Sequence, residues 1–250
     1  MLLLFRPWRV VACVCAALVV LASGAVLGRA ARAGGGGLGK GAAVIWRVAT
    51  TAPEVAITFD DGPDPQYTPQ VLDLLVQNHA AATFFVLGSQ VARFPGLVRE
   101  EAADGFQVCN HGWSHSMMAG MAADAVAAEV TRTSELLQRL GTPQCNLFRF
   151  PYLASDGAAR AVVAGLGYRI VAANLDTRDW QLRAPRVMAN RVLQEVRPGD
   201  IILMHDAGGR RGRTVAALAL ILAGLRADGI RAVTVGALLQ ASAGPPSGVA

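Results

Sequence analysis

The chain has 250 residues, enough for one sizeable domain with a full core, and its 53% apolar and 16% charged residues exclude a disordered protein. The formal charge of +5 comes almost wholly from arginine, with Lys40 the only lysine, and it is scattered along the chain, so no nucleic-acid surface is expected. The densest basic cluster, Arg210, Arg211 and Arg213, reads as a solvated loop.

At the N-terminus, Arg6 and Arg9 precede an apolar stretch over residues 10–28. Its length suits a marginal membrane span, while the small residues around Gly24 and Ala25 suit signal cleavage. Residues 1–33 are therefore read as a signal peptide or an N-terminal membrane anchor, and either exports the rest. Residues 34–52, opening with four glycines, read as a flexible linker and lead-in. Cys13 and Cys15 fall in the apolar segment, which leaves Cys109 and Cys145 in the domain. One pair makes no disulfide framework, and their role stays open.

A domain is expected over 53–240. Its predicted strands are 55–59, 82–87, 106–109, 147–149, 169–172, 200–204 and 231–235. Its predicted helices are 68–78, 95–104, 122–140, 156–164, 186–196 and 215–227. The tail 241–250, with Gly-Pro-Pro-Ser-Gly, is expected to be disordered. Strand and helix alternate without hairpin signals, which predicts an α/β fold with a parallel sheet covered by helices. Both a barrel and a doubly wound sheet satisfy that pattern, and about seven strands favour the barrel.

Chemistry gathers at strand ends. Strand 55–59 runs into Asp60-Asp61-Gly62-Pro63, which places two acids at a strand's carboxyl end, where such folds keep their active sites. Strand 106–109 runs into Asn110-His111-Gly112-Trp113-Ser114-His115. Histidines at i and i+4 on one helical turn face the same way and can share an ion. Two histidines and a carboxylate leave a coordination position open, as in catalytic zinc sites, and the same donors serve non-haem iron. Asp60, beside the ligand candidate Asp61, is then free to take a proton from water. His205, at the end of strand 200–204, reads as a general acid facing Asp60, and His79 as a surface residue at a helix end.

Taken together, Thr58-Phe59-Asp60-Asp61-Gly62-Pro63, His111 with His115, Arg149-Phe150-Pro151-Tyr152, Asp176-Thr177-Arg178-Asp179-Trp180 and His205 resemble, in order and spacing, the five motifs of the NodB-homology polysaccharide deacetylases, carbohydrate esterase family 4. The resemblance covers roughly residues 54–239. It implies an irregular (β/α)7 barrel and one divalent metal ion, zinc foremost, with Co2+, Ni2+ or Fe2+ as alternatives. Asp61, His111 and His115 would be the metal ligands and Asp60 the catalytic base. Arg149 would pair with the base, His205 would be the acid, and Asp179 would support it. Pro151, Tyr152 and Trp180 would bind substrate, the Tyr152 N–H helping to hold an oxyanion, although Trp180 equally suits a core position.

Phe150 and Leu153 stand where the family more often has Pro and Gly, and Cys109 where Gly is common, so the groove's shape is expected to differ. The implied activity is removal of N-acetyl groups from amino sugars of an extracytoplasmic polysaccharide. Peptidoglycan comes first, with chitooligosaccharide or another exopolysaccharide as the alternative. A catalytically silent carbohydrate-binding protein of the same fold is the reading from another class. The expected partners are an N-acetylated glycan and, if the N-terminal segment is uncleaved, the membrane.

Overall fold

In a computed structural model of the chain, the described residues are 42–242. The expected signal peptide or anchor, most of the linker, and residues 243–250 of the tail lie outside them. Nine strands form one sheet: β1 (Val44–Ile45), β2 (Glu54–Asp60), β3 (Thr83–Val86), β4 (Gln107–Asn110), β5 (Leu147–Phe148), β6 (Arg169–Val171), β7 (Leu175–Asp176), β8 (Ile201–His205) and β9 (Arg231–Val233). Their order is β1-β6-β5-β4-β3-β2-β8-β7, with β9 also paired to β2. Every one of these ladders is parallel. Among the described residues no ladder joins β7 to β6 or β1, so the sheet curls into a barrel that is open at that seam. The chain is an irregular α/β barrel, as expected, with two more strands than the reading found. β1 and β7 are two residues each, too short to show a period. β1 also lies within the stretch read as lead-in.

Among the described residues seven helices lie between strands, α1 (Thr68–Gln77), α2 (Gly88–Arg93), α3 (Pro95–Ala103), α4 (Ala123–Arg139), α5 (Gly157–Gly165), α6 (Pro185–Glu195) and α7 (Gly212–Ala227), and an eighth, α8 (Val235–Ala241), follows β9. Proline in the first turn of α1, α3 and α6 sets φ where its missing N–H costs nothing. α4 buries Val126, Val130, Thr133 and Leu137, the 4-3-4 spacing of one helical face. α8 reaches Ala241, one residue into the segment expected to be disordered.

The core has two sides, and strand alternation decides which residue goes where. Val55, Ile57 and Phe59 of β2 join the layer between sheet and helices, with Ile202 and Met204 of β8. Ala56 of β2 and Ile201 and Leu203 of β8 point the other way, into a barrel interior shared with Phe85, Cys109, Leu147 and Val171. Thr58, Asp60 and His205 follow the same inward period, so the last inward position of each strand is left for polar chemistry. Inside the barrel Cys109 and Cys145 form a disulfide with a Cα–Cα distance of 5.3 Å. Sequence spacing did not reveal this bond. It exists because β4 and the lead into β5 are adjacent in the sheet.

Candidate active site

Asp60 and His205 are register partners across the β2–β8 ladder, which sets a carboxylate and an imidazole side by side at the carboxyl end of the sheet. Arg149, directly after β5, runs through the interior to meet them from the far side. Its Nη1 donates to Asp60 Oδ1 and Thr58 Oγ1, both at 2.7 Å, and its Nη2 to the Ala172 carbonyl at 2.9 Å. The Phe85 ring lies 4.2 Å from its guanidinium carbon. A fully buried guanidinium is tolerable only with partners of this kind. Burial pulls the Arg149 pKa down and the Asp60 charge opposes that; a guanidinium stays protonated regardless.

Asp61, His111 and His115 offer one ligand atom each within 4.8 Å of one another. Asp61 Oδ1 lies 3.2 Å from His115 Nε2 and 3.6 Å from His111 Nε2. His111 Nδ1 is 2.8 Å from the Arg149 carbonyl, an acceptor only, so Nδ1 carries the proton and Nε2 keeps its lone pair. Asp61 Oδ1 is buried without a hydrogen-bond partner in the protein. An orphaned carboxylate oxygen facing two imidazole nitrogens fits a divalent cation, and the N2O donor set suits zinc.

Burial would raise the Asp61 pKa, but the neighbouring imidazoles of His111, His205 and His115 overcome it and bring it to about 2. Burial lowers the His115 pKa against the pull of Asp61, favouring the neutral ligand form. The histidines converge by a different route from the one expected. Residues 111–115 form an irregular loop rather than a helical turn, with Gly112 at φ 83° and His115 at φ 61°. Asp61 at φ 76° and Tyr152 at φ 59° are likewise left-handed, a cost that non-glycine residues carry mainly at functional sites.

Asp179, in the 3-10 turn Asp179–Gln181, accepts from the His205 backbone N–H at 2.9 Å through Oδ2 and meets His205 Nδ1 at 2.7 Å through Oδ1. Burial alone would lower the His205 pKa, but the bond and charge of Asp179, with Asp60 and Asp61 behind it, lift it to about 9. The Asp179 carboxyl is itself held low: burial pushes it up, and His205, Arg211 and Thr214 outweigh that. Thr214 donates to Asp179 Oδ2 at 3.0 Å, and Arg211 Nη1 stands 4.0 Å from the same oxygen. Arg211, read from sequence as part of a solvated loop, is in fact 4% exposed. Thr58 was also missed, although its place two residues before Asp60 on the same strand face was a usable signal; nothing local could have revealed Arg211 or Thr214.

The cleft above these groups has a volume of about 510 Å³ and is lined by Asp60, Asp61, His111, His115, His205 and the aromatic pair Tyr152 and Trp180. Trp180 is 55% exposed and Tyr152 62%, which removes the core reading of Trp180. The Tyr152 ring stands edge-on to His115 at 4.4 Å. Pro151 is buried and is not among the residues that line the cleft. His79 is exposed after α1, as expected.

The sequence profile of polysaccharide deacetylases matches residues 47–171. The chain belongs to the polysaccharide deacetylase family. It is 38% identical over 199 residues to a peptidoglycan-N-acetylglucosamine deacetylase of Bacillus cereus, covering 79% of this chain and 93% of that protein. It is 34% identical over 197 residues to a chitooligosaccharide deacetylase of Azorhizobium caulinodans, covering 73% of this chain and 93% of that one. Among solved structures, a peptidoglycan N-acetylglucosamine deacetylase superposes with a TM-score of 0.77 at 34% identity, covering 80% of this chain and 94% of the other.

Proposed function

We propose that this polysaccharide deacetylase is a metal-dependent hydrolase that removes N-acetyl groups from the amino sugars of an extracytoplasmic polysaccharide, peptidoglycan foremost. The observation that carries the reading is the register pair Asp60 and His205, one held by Arg149 and the other by Asp179, flanking the Asp61, His111 and His115 donors. Opposite partners separate a base from an acid within one site. Zinc is the proposed ion. When bound, it supplies Lewis acidity that polarises a carbonyl and makes water a better nucleophile near neutral pH.

In this reading Asp60 takes the proton of the attacking water, oriented by the Arg149 fork. His205, protonated well above neutral pH, donates to the departing amine, and Asp179 keeps its Nδ1–H in place so that Nε2 faces the substrate. The Tyr152 N–H shares the oxyanion, while the exposed Tyr152 and Trp180 rings hold sugar faces along the open cleft. Pro151 shapes the turn that presents Tyr152.

The proposed catalytic domain runs over residues 53–240 behind an exported or membrane-anchoring segment at 1–33 and a linker at 34–52. The Cys109–Cys145 disulfide supports an oxidising, extracytoplasmic setting. Among the described residues no helix is long and apolar enough to cross a membrane, so any anchor would be the N-terminal segment. Chitooligosaccharide is the second reading, favoured by the Azorhizobium caulinodans relative.

Acetate release by the full chain from peptidoglycan, chitooligosaccharides and acetylxylan, with and without a chelator, tests these readings. Chelator-sensitive amide cleavage, greatest on peptidoglycan, is the expected result. Strong xylan esterase activity without amide cleavage would overturn the substrate assignment, and the absence of any acetate would favour a silent binding protein.

A further inference from the structure

The loop that carries His111 and His115 has no helical bonds to hold it, yet its two Nε2 atoms stand within 3.2–3.6 Å of one carboxylate oxygen. The Gly88 and Ser89 N–H groups at the start of α2 donate to the Gly112 and Trp113 carbonyls, both at 3.0 Å, and the side-chain restraint comes from α4. Glu129 Oε2 accepts from the Trp113 and Ser114 backbone N–H groups, both at 2.8 Å, and its Oε1 accepts from the Ser114 hydroxyl at 2.7 Å. Next to it, the Val130 carbonyl accepts from Asn110 Nδ2 at 2.8 Å, and Asn110 Oδ1 accepts from the Gly112 N–H at 2.8 Å. One turn of α4 thus holds the loop at residues 110, 113 and 114, all between or just before the two histidines. The Arg132 guanidinium over the Trp113 ring, 3.5 Å from its centroid, adds a third hold from the same helix. The fit leaves no slack: a Cβ on Gly112, itself at positive φ, would stand 3.3 Å from Glu129 Oε2 and 2.7 Å from Met118 Cε.

We propose that Glu129 is a positioning residue of the metal site. Its carboxylate, by taking two consecutive backbone N–H groups and a hydroxyl, selects the loop conformation in which His111 and His115 share one ion with Asp61. Both N–H groups converge on the single oxygen Oε2, so a side-chain oxygen held at that point keeps the loop in place, and the carboxylate charge strengthens the bonds. Glu129 is neither one of the three donor residues nor part of the cleft lining. It acts through the geometry of the ligands, as partners outside a coordination sphere do when they tune affinity.

This inference rests on the reading of Asp61, His111 and His115 as a metal site, and the test separates the two. The full chain, stripped of metal, is titrated with Co2+, following the d–d absorption bands, and with Zn2+ against a chromophoric chelator. Glu129→Ala is expected to weaken both affinities about 10- to 100-fold and to alter the Co2+ spectrum. Glu129→Gln, whose amide oxygen still accepts both N–H groups, should recover most of the loss. Glu129→Asp keeps the charge but withdraws it from the loop by one methylene; it should bind several-fold more weakly with an unchanged metal-free Tm, and it decides the matter if the alanine variant does not fold. Wild-type affinity and spectrum in Glu129→Asp, or a Gln variant as impaired as Ala, would overturn the role of Glu129. A wild-type protein that binds no Co2+ would overturn the metal site itself.

Discussion

Asp179 grips His205 at both its backbone N–H and its ring Nδ1; burial would lower the imidazole's pKa, but the ring bond and charge of Asp179, with Asp60 and Asp61 behind them, lift it to about 9. The sign of the effect can be followed in the pH profile. Burial by itself would depress His205, so in Asp179→Asn, where only the Asp60 and Asp61 charges still oppose burial, the alkaline limb of kcat/KM on an amide substrate should move from about 9 to lower pH. Above that limb, activity should fall tenfold per pH unit. A profile with its alkaline limb unmoved in the variant would assign the acid to another group. Most of these side chains were legible in sequence because acids and histidines at strand ends are conspicuous. Thr58, Thr214 and Arg211 were not, since a hydroxyl on a strand and an arginine in a basic loop take their meaning only from the carboxylates they face.

β4 and its flanks show what an element adds. The strand puts Cys109 inside the barrel and delivers His111 two residues later, and the disulfide to Cys145 ties it to the chain entering β5 across a sequence separation of 36 residues. Closing a loop of that size removes unfolded-state entropy worth about 4 kcal/mol. Replacing both cysteines with serine should therefore lower Tm by roughly 8–16 °C for a domain of this size. Thermal melts of oxidised wild type and the double variant check this, and equal Tm values would show that the bond contributes nothing to stability. Two cysteines 36 positions apart carry no geometric information until β4 and β5 are known to pair. The histidine loop teaches the complementary lesson: i and i+4 spacing correctly implied convergence, while the helix assumed to cause it is replaced by the grip of α2 and α4.

Across the domain, buried titratable groups set the pH dependence of stability. Burial, reinforced by Asp206, raises the Glu101 pKa well above the carboxylate range, and neither of its oxygens has a hydrogen-bond partner. Burial also lifts Asp206 from 3.8 to about 7, against the hydrogen bond it accepts from Thr68 at 2.5 Å. Both groups, and His205, bind protons more tightly when folded. Their stabilisation is complete below the unfolded pKa values and is lost as pH rises through the folded ones; for Asp206 this amounts to about 4 kcal/mol between pH 4 and 7. Asp61, lowered to about 2, works in the opposite sense, stabilising above its unfolded 3.8 and losing that contribution as pH falls towards 2. Calorimetry on the metal-free protein should find the highest Tm near pH 4–5 and a steady decline towards pH 9, with Glu101→Gln more stable than wild type at pH 8. A wild-type Tm that rises from pH 5 to 8 would contradict the assignment of these protons.

The chain's own pattern determined the α/β alternation, the parallel sheet and the strand ends at which Asp60, Asp61, His111 and His205 stand, because alternation and helical period are local properties that each segment carries with it. Local signals could not choose a barrel over a doubly wound sheet, since both are built from the same strand and helix units and differ only in which strands meet. That choice belongs to the order β1-β6-β5-β4-β3-β2-β8-β7. The same order makes Asp60 and His205 neighbours, brings Cys109 to Cys145, sends Arg149 through the interior to the base and sets Glu129 beneath the histidine loop. Each of these pairs is distant in sequence, and only tertiary packing decides which distant residues share a face.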